Sequence, residues 1–389
     1  MANVSRACPI CGTPETEVLL NLEMAVLNNA VLPGTFSVVA CRGCGFVYQD
    51  SKATLDDYEQ YYRVFNKYDA SPTIDKETKE LFLHYISIFL RFINKDKCIL
   101  DMGCAGGVFL NLLKENGYTC LVGVDPSADS ANYIKDRGIE AYAGGIYSND
   151  MPFLEKRFDL IVLSGVMEHL FDLRKAIINL GKYLKDDGMI FISVPDVNRY
   201  CMYDNAMSYY FNLEHINHFS AVSLSNLMQE FSFRSIDTSF YEMRFGDSTV
   251  PAFSSLFRKE GVSSVRTEKD MTSAESVRKC LRRAEAKRAD QIRTIDALLK
   301  SNEEIIIWGA GSVASMFLSG TNLGRCNIKW FVDKDPGKQG KVLAGITIRP
   351  PDSLRGVKGT IVVCAALYSY DILNEIRSMG LDNRVIFLK

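Results

Sequence analysis

Cys98-Ile-Leu-Asp-Met-Gly-Cys-Ala-Gly-Gly107, followed by Leu121-Val-Gly-Val-Asp125, decides how this chain folds. The first run is an apolar strand ending in a glycine turn. A helix opens at Val108, and the second run is a strand that ends in an acid. Small residues let the backbone close on a ligand, and a carboxylate at the end of the second strand suits the hydroxyls of a ribose. The pair reads as a site for an adenosine-containing cofactor; the plainer alternative is an ordinary tight strand-to-helix turn. A dinucleotide fingerprint starting at Gly103 needs small residues at 105 and 108, and Ala105 with Val108 is a poor match.

Outward from that turn, strands at Cys120–Val124, Ile139–Ala143, Phe158–Leu163 and Met189–Val194 alternate with helices. Such alternation predicts an α/β fold with a parallel, doubly wound sheet. Thr78–Asn94 reads as an amphipathic helix leading into it, with His84 on or near the apolar stripe as a core residue. Phe233–Tyr241 and Ala252–Lys259 read as a late hairpin, giving a seven-stranded sheet with an antiparallel edge. This unit spans about residues 76–260. Residues 261–389 form a further unit. It opens with Ser273–Lys300, which is highly charged and free of Gly and Pro, a long solvated helix or linker. Glu304–Trp308 then runs into Gly309-Ala-Gly-Ser-Val-Ala314, and strand Ile328–Val332 ends at Asp333. This predicts a second, smaller Rossmann-like domain. Its glycine turn formally satisfies the dinucleotide fingerprint, so it suits NAD, another diphosphate, or no ligand at all.

Residues 1–75 carry Cys8-Pro-Ile-Cys11 and Cys41-Arg-Gly-Cys44. Paired knuckles supply the four thiolates that tetrahedral zinc takes, and so small a module needs a staple. Four protein ligands leave no open position, so zinc here is read as structural; a redox Cys-x-x-Cys is the weaker alternative. The chain has 11 cysteines, an odd number that argues against a disulfide framework. Cys98, Cys104, Cys120, Cys201, Cys280, Cys326 and Cys364 are expected as reduced residues, several in the core. The formal charge of -2 gives no electrostatic case for nucleic acid or an anionic membrane as partner. No apolar run approaches about 18 residues, and no secretory segment is evident. The expected location is cytoplasmic. Oligomeric state leaves no signature.

Asp101 to Gly107 resembles motif I of class I S-adenosylmethionine (SAM) methyltransferases. The resemblance implies that Asp101, Gly103, Gly106, Gly107 and Asp125 hold SAM, with Asp101 near its amino-acid end. Phe158-Asp-Leu-Ile-Val-Leu-Ser-Gly-Val-Met-Glu-His169 resembles motif IV of the same enzymes. Ser164 then lies at a strand's carboxyl end beside the cofactor, and Glu168 and His169 face the substrate, unless His169 is only a structural residue held by a backbone carbonyl. The densest polar cluster is Asn212-Leu-Glu-His-Ile-Asn-His-Phe-Ser220, with two of the four histidines. A histidine titrating near pH 6.5 suits proton abstraction at neutral pH, and a carboxylate such as Glu214 can fix its tautomer or contact substrate. The alternative is a structural loop with polar caps. No further metal motif is evident. Tyr58, Tyr61, Tyr62, Phe65 and Tyr68 close the first unit; a Tyr hydroxyl there can donate to an oxyanion, or the cluster packs two modules together.

The order of these parts resembles the sugar C-methyltransferases that act on nucleotide-linked keto-deoxysugars. That family combines a four-cysteine zinc module, a SAM-binding core with a late Glu-His motif, and a C-terminal Rossmann-like domain. The resemblance implies an NDP-keto-sugar acceptor, held partly by a C-terminal domain that does no redox chemistry. Glu214 and His215 match the family's Glu-His pair, His169 its earlier active-site histidine, and Tyr68 its N-terminal tyrosine, with Tyr62 second. His215 is then expected to remove the proton beside the ketone, and Tyr68 or His169 to stabilise the enolate. The chain departs from the family at Asn212-Leu213, where Tyr-His is frequent, and at His218, which could partly replace the lost group. O- or N-methylation of a small metabolite, and a non-catalytic binding module, stand as alternatives.

Overall fold

The structure is a computed structural model, and it describes residues 4–64, 74–148, 151, 154–203, 207–245, 248–260 and 267–388. Its centre is a seven-stranded sheet. The strand order is Phe233–Phe245, Ser248–Lys259, Leu184–Pro195, Phe158–Ser164, Cys98–Met102, Cys120–Asp125 and Glu140–Ala143. The last five run parallel, and Ser248–Lys259 is antiparallel to both of its neighbours. The anticipated hairpin at the edge is therefore present and longer than the sequence pattern suggested. The order reverses between Cys98–Met102 and Phe158–Ser164. Open α/β sheets bind ligands beyond the carboxyl ends of the strands at such a switch point.

The central strands are buried on both faces, which is why they read as continuous apolar runs. Helices Lys76–Phe89 and Val108–Glu115 cover one face through Tyr85, Phe89, Phe109 and Leu113. On the other face Leu100, Val122, Ile161 and Ile190 share one apolar cluster with Cys8, Ile10, Cys41, Cys44 and Phe46. The cysteines thus pack into the core of the large sheet, while Met24, Phe36, Val38, Ala40 and Val47 of the same segment join a second cluster with Tyr200, Tyr210 and Phe211.

That segment forms strands Thr16–Glu23, Thr35–Cys41 and Val47–Ser51, and a fourth strand joins them from far along the chain. Asn217–His218 pairs with Val47 and Tyr48. A third sheet holds Ile305–Trp308 between parallel neighbours Ile328–Val332 and Thr360–Val363. The 29-residue helix Ser273–Ser301 leads into it. Asn28 and Leu27 reach across to strand Val342–Leu343. Among the described residues, no helix is long and apolar enough to cross a membrane.

Cys98 and Cys120 correct an expectation. They are direct partners on adjacent parallel strands, 4.6 Å apart at Cα, and a disulfide joins them. Two thiols that face each other across one ladder step are close enough to bridge, and sequence spacing does not reveal that register.

Candidate active site

The cofactor turn assembles as the sequence predicts. Gly103 N–H and Cys104 N–H donate to Val124 O at 2.7 and 3.2 Å, which ties the turn to the end of the neighbouring strand. Gly103 has φ +81, and a Cβ there would stand 2.7 Å from Val166 Cγ2. Gly106 is buried within the turn, and Gly107 precedes the helix at φ +71. Asp125 ends its strand and accepts from Ala105 N–H at 2.8 Å and Ser127 N–H at 2.9 Å. A carboxylate has about four acceptor sites, so two are left for a ligand. Asp101 is 4% exposed, and burial together with the nearby Asp125 pushes its carboxyl up to about 7. Ser164 ends the strand across the switch point, and Gly165 follows it.

Beyond Gly165, a short turn carries Met167–His169. The structure brings this turn onto the late polar cluster. The rings of His169 and His215 meet edge to face at 4.9 Å, and ligand atoms of Glu168, His169 and His215 all lie within 4.8 Å of one another. His169 Nδ1 lies 3.0 Å from the backbone carbonyl of Glu214. A carbonyl only accepts, so Nδ1 carries a proton and, in the neutral ring, Nε2 carries the lone pair. The tautomer is thus set by the main chain of Glu214 and belongs to His169. The Glu214 carboxylate instead accepts from Tyr61 O–H at 2.6 Å. Tyr62 meets the His169 ring at 5.9 Å, and Tyr209 meets His215 at 5.9 Å. Glu168 is 4% exposed, with Oε2 unbonded among the described residues, and burial raises its carboxyl.

Asn212 explains the departure at that position. Its Oδ1 accepts from Glu214 N–H at 2.9 Å and His215 N–H at 3.0 Å, so it shapes the turn that presents both residues. His218 does not join the site. It is 1% exposed, packs on Phe211 and Tyr200, and burial lowers its pKa to about 3. On a strand, alternate residues face opposite ways, and His218 is used in the core. Tyr68, the expected catalytic tyrosine, lies outside the described residues. Arg6 is the residue that sequence reasoning missed, and Asn217, legible only as a member of the polar cluster, is its partner. Asn217 Nδ2 donates to Met167 O and Leu170 O, and Arg6 donates to Asn217 Oδ1, Leu170 O and Phe171 O. Arg6 carries no sequence signal, because its partners are remote in the chain.

The four cysteines of the N-terminal knuckles converge. Sγ of Cys8 and Cys44 lie 3.6 Å apart, and Sγ of Cys11 and Cys41 lie 3.4 Å apart. All four sulfurs are within 4.8 Å of one another. Thiolates about 2.3 Å from a tetrahedral ion stand about 3.8 Å apart, so the donor set and its spacing fit such an ion.

Two family models divide most of the chain. One described as a methyltransferase domain matches residues 74–238, and one described as the C-methyltransferase C-terminal domain matches residues 258–378. The C-methyltransferase NovU of Streptomyces niveus is 24% identical over 392 aligned residues, covering 95% of this chain and 91% of that protein. This chain is a SAM-dependent methyltransferase, and its two matched parts are similar to those of C-methyltransferases. The methyltransferase is also 30% identical to a ubiquinone biosynthesis O-methyltransferase of Coxiella burnetii, but over only 30% of the chain and 53% of that protein. The structure of Burkholderia thailandensis 1,6-didemethyltoxoflavin-N1-methyltransferase aligns at 15% identity, covering 56% of this chain and 96% of that one, with a TM-score of 0.37. A relative spanning nearly the full length puts the C-terminal part of this methyltransferase, and its cysteine segment, within the same family comparison as the SAM-binding core.

Proposed function

We propose that the methyltransferase moves the methyl group of SAM to the carbon beside the ketone of a nucleoside-diphosphate keto-deoxysugar. The observation that carries the reading is the His169–His215 pair, 4.9 Å apart and joined to the cofactor turn through Gly165 and Val166. A carbon beside a ketone is acidic enough for a histidine to deprotonate; an ordinary sugar carbon is not. His215 removes that proton. The resulting enolate carbon takes the methyl from the SAM sulfonium, leaving S-adenosylhomocysteine, and the ketone re-forms. Holding both reactants in line supplies much of the rate. As an imidazolium, His169 keeps its Nδ1 proton on Glu214 O and offers the Nε2 proton to the enolate oxygen.

Asp125 accepts from the ribose of SAM, and Ser164 borders the cofactor. Asp101 lies toward its amino-acid end. Zinc on Cys8, Cys11, Cys41 and Cys44 has a structural role, and the site supplies it four thiolates. The NDP-sugar is assigned to a cleft of about 550 Å³ between the N-terminal sheet, helix Ser273–Ser301 and helix Ser312–Gly320 of the C-terminal unit. Arg283, Lys287 and Arg288 line it with Met207 and Ser208, and the next residue, Tyr209, touches His215. Cations beside apolar walls suit a diphosphate with an attached base. We read the C-terminal sheet as a Rossmann-like binding domain, with unit boundaries near 75 and 260, and the whole as a cytoplasmic enzyme without nucleic-acid or membrane partners.

The geometry also favours a second assignment, in which His169 is the base, because its Nε2 lone pair is fixed by the Nδ1 contact. Deuterium exchange separates the roles. With an NDP-4-keto-6-deoxysugar in heavy water and no SAM, the wild type is expected to exchange the proton beside the ketone. His215→Ala should slow exchange by about 10²–10⁴-fold, while His169→Gln keeps measurable exchange and slows methylation. Exchange surviving in His215→Ala but lost in His169→Gln reverses the roles. Absence of exchange in the wild type, with methylation of a reduced sugar instead, points to O-methylation and refutes the keto-sugar reading.

A further inference from the structure

Arg6 is buried, 7% exposed, yet its side-chain hydrogen bonds reach carbonyl and amide oxygens rather than a carboxylate. Burying a guanidinium is costly unless its hydrogens are well placed. Here one nitrogen, Nη2, serves Leu170 O at 3.4 Å, Phe171 O, and Asn217 Oδ1 at 3.2 Å. The guanidinium carbon also stands 4.8 Å from the centre of the Phe171 ring and 5.8 Å from that of Tyr48. Asn217 passes the link on, donating to Met167 O at 2.9 Å and Leu170 O at 2.7 Å. Those carbonyls flank His169 on its short turn. Asn217 itself follows His215 by two residues and pairs with Tyr48 on the N-terminal sheet. Arg6 is held from behind as well: its N–H donates to Asp50 Oδ1 at 2.9 Å, and its carbonyl accepts from Tyr48 O–H at 3.0 Å. Two residues further on is Cys8, the first of the four converging cysteines.

We propose that Arg6, acting through Asn217, is a positioning residue that locks the His169 turn to the Glu214–His215 turn, so that the cysteine module sets the geometry of the two histidines. The proposal rests on the reading of those histidines as the proton-handling pair. Its structural content is separable from the acceptor: the contact to be held is His169 Nδ1 to Glu214 O. Without the Arg6 fork, the His169 turn keeps its bonds from Asn217 Nδ2 and from Ile216 N–H to Glu168 O, but Asn217 Oδ1 loses the donor that orients its amide, and Leu170 O and Phe171 O lose their link to the cysteine segment. A shift of about 1 Å between reacting groups is enough to cost about 10²-fold in rate.

The test uses the full chain labelled with 15N-histidine, whose four histidines are assigned by single His→Gln variants. In the wild type, His169 is expected to show one tautomer, protonated at Nδ1. Arg6→Met, which fills the space without a buried charge, should replace that pattern by averaged Nδ1 and Nε2 signals. SAM affinity measured by calorimetry should stay within about twofold. Arg6→Lys should restore part of the pattern, and Asn217→Ser should reproduce the loss. Turnover of the keto-sugar, where the wild type shows any, should fall about 10²-fold. An unchanged His169 pattern in Arg6→Met overturns the proposal. So does joint loss of SAM binding and of cooperative unfolding in both Arg6→Met and Asn217→Ser, which would make the residue part of the core alone. A wild type inactive on keto-sugars leaves the NMR and calorimetry outcomes decisive, and condemns only the acceptor.

Discussion

At the scale of single residues, burial raises the carboxyls of Asp101, Asp125 and Glu168. Asp101 is the clearest. Its carboxyl is lifted to about 7 by desolvation, with Asp125 adding to the effect, whereas an unfolded aspartate titrates near 3.9. Between about pH 4 and 7 the folded chain therefore holds a proton that the unfolded chain has released. The sign follows: stability falls as pH rises through that window, and the full cost is present above it. At about 1.4 kcal/mol per pH unit the cost is on the order of 4 kcal/mol at most. Asp101→Asn removes the titration. Without SAM it should be more stable than the wild type at pH 8, and its urea midpoint should vary less between pH 4 and 7. Its SAM affinity should fall under the proposed assignment of Asp101 to the amino-acid end of SAM. A wild type whose midpoint rises steadily over that window would contradict the burial argument. His218 shows the same force with opposite use: burial holds it neutral in the core, and only His169 and His215 meet at the site.

At the scale of elements, two turns do the positioning, and they differ in how far the sequence revealed them. The glycine turn was legible because its requirements are local: a left-handed residue at Gly103, a tight entry to the helix at Gly107, and an acid closing the next strand. The structure adds that Gly103 lies against Val166, on the way to His169. Gly103→Ala therefore meets both a φ of +81 and a contact of 2.7 Å. Strain of this kind costs about 1–3 kcal/mol, so SAM affinity is expected to fall about tenfold or more. Val166→Ala in the same chain relieves the contact but not the backbone strain, and should recover only part of the loss in calorimetry. Full recovery would show that crowding alone matters. The second turn, Asn212 to Asn217, was legible as a polar cluster but not as a structure. The Asn212 cap is local, but that Glu214 acts on His169 through its main chain and that Asn217 becomes a strand depend on partners about 45 to 211 residues away. No local periodicity encodes such contacts. The Cys98–Cys120 bridge was hidden for the same reason, since it needs the strand register.

At the scale of the whole molecule, the chain is organised so that each sheet brings one participant to a common region. The large sheet presents the glycine turn, the cysteine sheet takes Asn217–His218 as its edge, close after His215, and helix Ser312–Gly320 of the C-terminal unit lines a cleft with Leu19, Leu20 and Leu22 of the cysteine sheet. The glycine turn of that last sheet repeats the first in outline: Ala310 N–H donates to Asp333 at 2.9 Å as Ala105 N–H does to Asp125. The two differ in charge. Lys338 Nζ lies 3.0 Å from the Asp333 carboxylate, itself little exposed, so this acid is already neutralised where Asp125 has only backbone donors. An acid paired in this way is a poor ribose acceptor, which is consistent with the proposed placement of the nucleotide against Arg283, Lys287 and Arg288. The resulting prediction concerns the cleft. Arg288→Gln combined with Lys287→Gln should raise KM for an NDP-keto-sugar about tenfold while leaving kcat and the SAM dissociation constant near their wild-type values. The wild-type KM should rise steeply with salt and the variant's less so, since screening acts on the charges removed. A keto-sugar without the diphosphate should not distinguish the two proteins. If KM, its salt dependence and kcat are all unchanged, the diphosphate lies elsewhere, and the C-terminal sheet contributes shape rather than charge to the acceptor site.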